Sequence, residues 1–338
     1  MTETDVTTDD PLRARLLTRI GQPMGRGGPA LAPDPVNLPM IRHWVDAFDD
    51  RNPVYLDARA AARAGFGDVV APPAMLQTWT MARPVIEGIR ERGGAAGDLD
   101  PDTPIALLAD AGFRGTVATN SELEFTRYLH VGEVLRSTAT LDEVSELKAT
   151  ALGVGYFVTW VTRYETSRGE EVGRQRFRVF KFDPTRTAGE KPPRPKAAQP
   201  APAQEREQTS GETLPTFELD VTATVVVAGA IASRDFMPVH HDRDYARAQG
   251  APDIFMNILT TNGYVARFVT DWAGPEAMLK RIEIRLGAPA VPGKRLRFTG
   301  RVTEVEHGPQ ERLVHVELRA ANELGDHATG TAVVALPA

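Results

Sequence analysis

The sequence predicts an α+β fold made of two similar halves, each with antiparallel strands wrapped around one long helix. Three observations predict it. The stretch Asp50-Arg51-Asn52-Pro53-Val54-Tyr55 returns as Asp235-Phe236-Met237-Pro238-Val239-His240. Both copies are followed, in the same order, by an Ala/Arg-rich turn ending in glycine, an apolar helix candidate and a set of alternating segments. Between the copies, residues 184–215 are dominated by Pro, Ala, Lys, Gln and Glu, the composition of a flexible tether. A repeat on this scale is read before any single residue, because each copy is one packing unit.

In the first half, residues 1–183, a short helix candidate covers 12–20 and a Gly/Pro-rich loop runs to Pro35. Ile41, Trp44, Val45 and Phe48 then recur at helical spacing. After the first copy come the turn at 60–65 and a helix candidate over 72–83. Residues 87–114, rich in Gly, Asp and Pro, fit neither period and are expected to form a surface excursion or a lid. Leu123 and Phe125 alternate with polar neighbours over 121–128, and 156–164 and 176–182 behave similarly. In the second half, residues 216–338, the turn at 245–250 leads to a long helix candidate over 254–272. Ile282, Ile284 and Leu286 alternate with Arg281, Glu283 and Arg285, and segments 313–318 and 331–336 finish the strands. Residues 131–136 resemble 292–297, and the turn glycines Gly169 and Gly325 precede the last strand of each half.

A chain of 338 residues with 42% hydrophobic content can fill a core in each half. The absence of cysteine excludes disulfides, thiolate metal sites and Cys nucleophiles. A net charge of −6 disfavours a nucleic-acid partner. The first ten residues are acidic and polar, unlike a signal peptide, and no run is long enough to span a membrane, so a cytoplasmic protein is expected.

Asp235 and His240 stand five residues apart with Pro238 between them. Proline is excluded from regular helix interiors and central strands, so the stretch is a bent loop able to aim both side chains at one point. A water held about 3 Å from a carboxylate and an imidazole can lose a proton to the pair, and a neighbouring carbon can receive one. The plainer reading is that Asp235 caps a turn and His240 is a surface histidine. In the first copy Asp50 matches Asp235, but Tyr55 stands where His240 should be. A phenol with a reference pKa of ~10 cannot replace an imidazole at ~6.5 as a proton shuttle near neutrality. The first copy keeps the shape and has lost the chemistry.

The second copy resembles the signature of the MaoC-like, or (R)-specific, enoyl-CoA hydratases, which usually reads Gly-Asp-x-Asn-Pro-[Leu/Ile/Val]-His. Asp235 and His240 occupy the two catalytic positions, while Arg234 and Met237 replace the Gly and the Asn. The resemblance runs on through 241–244 and 253–259 to 271–275, where it is similar to the small catalytic subunit of steroid side-chain enoyl-CoA hydratases. It implies a double hotdog fold, with the two halves that those relatives place on separate subunits fused in one chain. Because those relatives pair two small and two large subunits, it also implies a homodimer. Their large subunit carries a zinc-binding OB-type module, which this sequence does not show. The implied reaction adds water across the 2-enoyl double bond of a bulky, steroid acyl-CoA. It needs no metal and no cofactor beyond the coenzyme A of the substrate, and it would feed a downstream aldolase or thiolase-like enzyme.

Such an addition builds negative charge on the thioester oxygen, which backbone N–H groups at a helix start would stabilise. The resemblance places the Asn257 N–H in that role, with Ala74 as its first-half counterpart. Coenzyme A is polyanionic, and the candidate basic residues are Lys280, Arg281, Arg285, Lys294, Arg295 and Arg297. Charged strand faces are also simply solvated, which is the alternative for each. His43, His130, His307, His315 and His327 are scattered without metal-ligand spacing and read as surface residues. His241 either helps orient the loop or forms a solvated pair with Asp242. Two other functions stay open: a hotdog thioesterase, for which Asp271 at the end of the long helix would be poorly placed, and a non-catalytic acyl-CoA-binding protein.

Overall fold

In the computed structural model, which describes residues 10–94, 100–186 and 211–338, the strands of both halves join into one antiparallel sheet. The first half supplies β1 (Ala30–Leu31), β2 (Gly115–Phe125), β3 (Leu135–Val144), β4 (Lys148–Thr150), β5 (Gly153–Thr166) and β6 (Glu171–Asp183). The second supplies β7 (Phe217–Val221), β8 (Met278–Leu286), β9 (Lys294–His307), β10 (Glu311–Asn322) and β11 (Gly325–Pro337). The order across the sheet is β1-β3-β5-β6-β2-β8-β11-β10-β9-β7, with β4 pairing only β5. Read outward from the β2–β8 seam, the two halves have the same succession of strands, so the sequence repeat is a repeat of topology. At the seam Asn120 pairs with Arg285 and Glu124 with Arg281. Inward residues such as Leu123, Ile282 and Ile284 are buried, while Glu124, Glu283 and Arg285 face out, as their alternation predicts.

The helices are α1 (Pro11–Leu17), α2 (Leu38–Phe48), α3 (Ala58–Arg63), α4 (Ile89–Arg92), α5 (Pro104–Asp110), α6 (Ala223–Ala232), α7 (Arg243–Ala248) and α8 (Ile258–Ala273). The Ala/Arg-rich turns of both halves are helices, α3 and α7, capped by Asp57 and Asp242. The long helix α8 starts at Asn257, whose side chain accepts the Thr260 N–H at 2.7 Å, and stops before Gly274, φ 88°. It is buried almost all round, as a helix inside a wrapped sheet must be. Two glycines set its contacts. A Cβ on Gly263 would come within 2.3 Å of the Phe48 ring, and one on Gly229 of α6 within 2.4 Å of Thr260.

The helix expected over 72–83 does not form. The segment makes two short 3-10 turns, Pro73–Met75 and Gln77–Thr80, and then runs on without regular structure to Ile86. Pro72 and Pro73 remove donors at the start, and Pro84 biases the residue before it away from helix. The first half has thus lost the helix around which its strands would wrap. The excursion at 87–114 contains α4 and α5, and α4 sits against the second copy: Arg90 pairs with Asp242 at 3.2 Å. Most of the tether, residues 187–210, lies outside the described residues.

Candidate active site

In both halves a helix ends just before the signature and one left-handed residue turns the chain into the Asp. Arg234 (φ 59°) follows α6 and Asp49 (φ 46°) follows α2. This conformation costs an L-residue roughly 1–2 kcal/mol, which is why glycine suits the position. Each Asp then closes a tight turn: the Met237 N–H donates to Asp235 Oδ1 at 3.2 Å, and the Asn52 N–H to Asp50 Oδ1 at 3.0 Å. One 3-10 turn follows in each copy, Pro238–His240 and Pro53–Tyr55. Asn52 caps its turn with a side-chain bond to the Val54 N–H, whereas Met237 makes no such bond.

The turn brings His240 Nε2 to 3.5 Å from Asp235 Oδ2, with both side chains largely buried. His240 Nδ1 lies 2.7 Å from the Phe255 carbonyl, which can only accept, so this nitrogen carries a proton and Nε2 is the atom that faces the carboxylate. The Phe255 ring meets the imidazole edge-on at 5.0 Å. Asp235 is held by Asn257, whose Nδ2 donates to Asp235 Oδ2 at 2.9 Å and to Ser233 Oγ at 3.0 Å. Asn257 therefore does more than its predicted backbone role: its side chain both caps α8 and fixes the carboxylate. The N–H groups of Asn257, Ile258 and Leu259 find no acceptor among the described residues, and all three residues line the cavity that also holds Asp235 and His240. Free donors at a helix start, beside a carboxyl group and an imidazole, can stabilise a developing oxyanion while a proton moves.

That cavity has a volume of about 390 Å³ and extends from the second half into the first. Its far wall is made by Gln77 and Met81 of the unwound segment, by the start of β2, and by Phe177 and Val179 of β6. It lies where the missing helix would have packed. Around the first copy there is no comparable room. Tyr55 and Tyr128 are 2% and 3% exposed, Phe66 stacks on Tyr128 at 5.1 Å, and the Leu279 N–H donates to the Tyr128 hydroxyl. The first copy is closely packed among the described residues, so the cavity lies against the unwound segment and not at Tyr55. Asp50 is buried beside it, and desolvation pushes its carboxyl up to about 6.

None of the six basic residues offered as coenzyme A contacts, Lys280 and Arg297 included, lines the cavity. Arg281 is ion-paired with Glu122 and Glu283, and Arg295 with Glu218 and Asp220. Arg285 is exposed on the outer face of the sheet, and Lys294 opens β9. His327 corrects the expectation of a surface residue. It is 2% exposed, lines the cavity, and bridges Thr261 Oγ1 of α8 (2.9 Å) to the Ala288 carbonyl (2.9 Å). Burial pushes its pKa down, so it stays neutral and ties the loop after β8 to the first turn of α8. His43 and His307 are exposed and His130 and His315 half-buried. His241 Nδ1 is buried without a partner among the described residues.

Comparison with known proteins agrees with this geometry. Residues 30–175 match the family described as FAS1-like, dehydratase domain region, and residues 205–323 match the MaoC like domain. Over 121 residues the chain is 50% identical to the 3-oxo-4,17-pregnadiene-20-carboxyl-CoA hydratase beta subunit of Mycobacterium tuberculosis, covering 36% of this chain and 91% of that protein. Over 160 residues it is 43% identical to the alpha subunit of the same name, covering 47% of this chain and 49% of that one. A probable enoyl-CoA hydratase alpha subunit of Thermomonospora curvata is 42% identical over 195 residues, 57% of this chain and 58% of that protein. The chain thus spans only about half the length of the two alpha subunits. Among solved structures, a MaoC-like dehydratase superposes with a TM-score of 0.70 at 21% identity, covering 95% of this chain and 99% of that one. A conserved hypothetical protein of M. tuberculosis with a double hotdog fold gives 0.60 at 14% identity, covering 90% and 94%.

Proposed function

Because the chain belongs to the MaoC-like dehydratase family, in its double hotdog form, we propose that it is an enoyl-CoA hydratase with one working site, in the second half. The observation that supports this is the Asp235–His240 pair, facing one another beside the unpaired N–H groups at the start of α8. In the proposed reaction the pair holds a water and removes one of its protons as the oxygen bonds to the β-carbon. The α-carbon receives a proton from the pair, so one water is added and the enzyme returns to its starting state. The N–H of Asn257, with those of Ile258 and Leu259, stabilises the enolate oxygen. Asn257 Nδ2 keeps Asp235 aligned. The scheme needs no metal or cofactor, coenzyme A being part of the substrate.

The substrate proposed is a bulky acyl-CoA of the steroid side-chain type. The two M. tuberculosis relatives are named as hydratases of a pregnadiene carboxyl-CoA, and the cavity opens towards the half that lacks a helix. Matches to an alpha and a beta subunit in one chain suit a fusion of the two, acting in the cytoplasm as a homodimer, which light scattering would test. The β-hydroxyacyl thioester formed is consumed by retro-aldol cleavage or, after oxidation, by thiolysis. A thioesterase finds less support: Asp271 is exposed and paired with Arg267, not on the cavity wall. Incubation with a short and a steroid enoyl-CoA, followed by mass spectrometry, decides between the readings. Gain of one water with coenzyme A retained supports the hydratase. Free coenzyme A means a thioesterase, and no change means a binding protein.

A further inference from the structure

The cavity wall is apolar along Met81, Val117, Ala118, Phe177 and Val179, but it is polar where Gln77 lines it. Gln77 belongs to a chain of hydrogen bonds reaching into the core. Burial pushes the Tyr164 phenol well up, so its hydroxyl keeps its proton and donates to Gln175 Oε1 at 3.0 Å. That bond orients the Gln175 amide, which is 1% exposed. Its Nε2 must then face Gln77 Oε1 (2.9 Å) and Ser121 Oγ (3.3 Å). With its oxygen so engaged, Gln77 turns its amino group away from Gln175. Among the described residues the only acceptor recorded for that group is Met81 Sδ at 3.9 Å, a weak one. Behind the wall, Asn262 Nδ2 donates to Ser121 Oγ at 3.0 Å, so the network continues into the core. Polar groups away from water are normally paired, so a Gln77 amino group held towards the cavity with only a sulfur acceptor is placed for a ligand's polar atom.

Gln77 belongs to the part of the cavity wall made by the first half, whereas the oxyanion donors belong to the second. We propose that Gln77 is a specificity-determining residue that donates a hydrogen bond to an oxygen, ketone or hydroxyl, carried by the acyl group at a point remote from the thioester. This rests on the hydratase reading and narrows it to oxygenated acyl groups. Gln175 and Tyr164 act as positioning residues. A site built to bond an oxygen discriminates strongly against an analogue lacking it, because its own groups are then left unpaired.

The test uses three steroid enoyl-CoA esters that differ only on the ring farthest from the thioester: ketone, hydroxyl or neither. The full chain should favour the two oxygenated esters by at least about 10-fold in kcat/KM. Gln77→Leu should remove that preference, lowering kcat/KM for the two oxygenated esters about 10-fold more than for the deoxy ester. Gln77→Glu keeps the shape and the bond from Gln175 but replaces donor with acceptor, so it should reject the ketone and retain the hydroxyl. Gln175→Leu, which frees the amide of Gln77, should weaken the preference in part. No preference in the wild type, or an equal loss on all three esters in both Gln77 variants, overturns the proposal. Kd values for the saturated, unreactive esters, by calorimetry, report the same preference without turnover. Failure to hydrate any ester would therefore sink the hydratase reading alone, whereas equal Kd values would sink the role of Gln77.

Discussion

At the scale of single residues, the two signatures differ at three positions, and the one-site proposal rests on one of them, Tyr55 in place of His240. Asp235→Asn or His240→Ala should each cut turnover at least about 10²-fold, whereas Asp50→Asn should leave it within a few-fold. Equal losses at Asp50 and Asp235 would remove the one-site reading. Asp50 should instead report through stability. Its folded pKa is raised to about 6 from 3.8, so the folded state holds a proton that the unfolded chain has lost. That contribution is full below about pH 4 and is lost as pH rises through 6. Asp50→Asn keeps the neutral shape, so it should raise Tm by several degrees at pH 7.5, an effect of up to about 3 kcal/mol, and do nothing near pH 4. A variant less stable at both pH values would contradict this. The Asp235–His240 pair was legible in the sequence because both groups lie in one short loop. His327 was not, since its partners Thr261 and Ala288 are 66 and 39 residues away. Nor could a charged strand face reveal that Glu122, from the other half, neutralises Arg281.

At the scale of elements, the same place in the repeat holds a four-turn helix in one half and an unwound segment in the other. The prolines of 72–84 announced a shorter helix, but not that none would remain. The helix α6 is not legible in the sequence because Ala223–Ala232 is polar only at Thr224, and a run without period does not distinguish a buried helix from a buried strand. Where propensity and packing disagree, Gly263 provides the test. Helix propensity alone would have Gly263→Ala stabilise α8 by about 1 kcal/mol. A Cβ there would lie 2.3 Å from the Phe48 ring, so overpacking of roughly 1–3 kcal/mol should win. The expected result is a lower Tm, and a higher one would show that α2 and α8 can move apart freely.

At the scale of the whole molecule, the β2–β8 seam makes the halves one sheet, and this has consequences for both assembly and substrate. Cleavage confined to 187–210 cuts no strand pairing in that sheet, so the nicked halves should stay together through gel filtration and keep their activity. Separation of two folded fragments, or loss of activity on clean cleavage, would mean that the connection does more than tether.

The seam also makes the cavity a joint product: the second half provides Asp235, His240 and the start of α8, and the first half provides Gln77, Met81 and the wall from β2 and β6. A cavity of about 390 Å³ falls within the range of roughly 300–1,000 Å³ that suits a ligand of drug size. A four-carbon acyl group would leave most of it unfilled, whereas a fused-ring group could cover the apolar wall of Met81, Phe177 and Val179. Burying about 100 Å² of ring surface is worth roughly 2.5 kcal/mol, or close to 10²-fold in rate. The kcat/KM for a steroid enoyl-CoA should therefore exceed that for crotonyl-CoA by about that factor. Widening the wall with Phe177→Ala should lower the steroid value and leave crotonyl-CoA nearly unchanged. Equal or better activity on crotonyl-CoA would leave the hydratase standing and remove the ring system from its substrate.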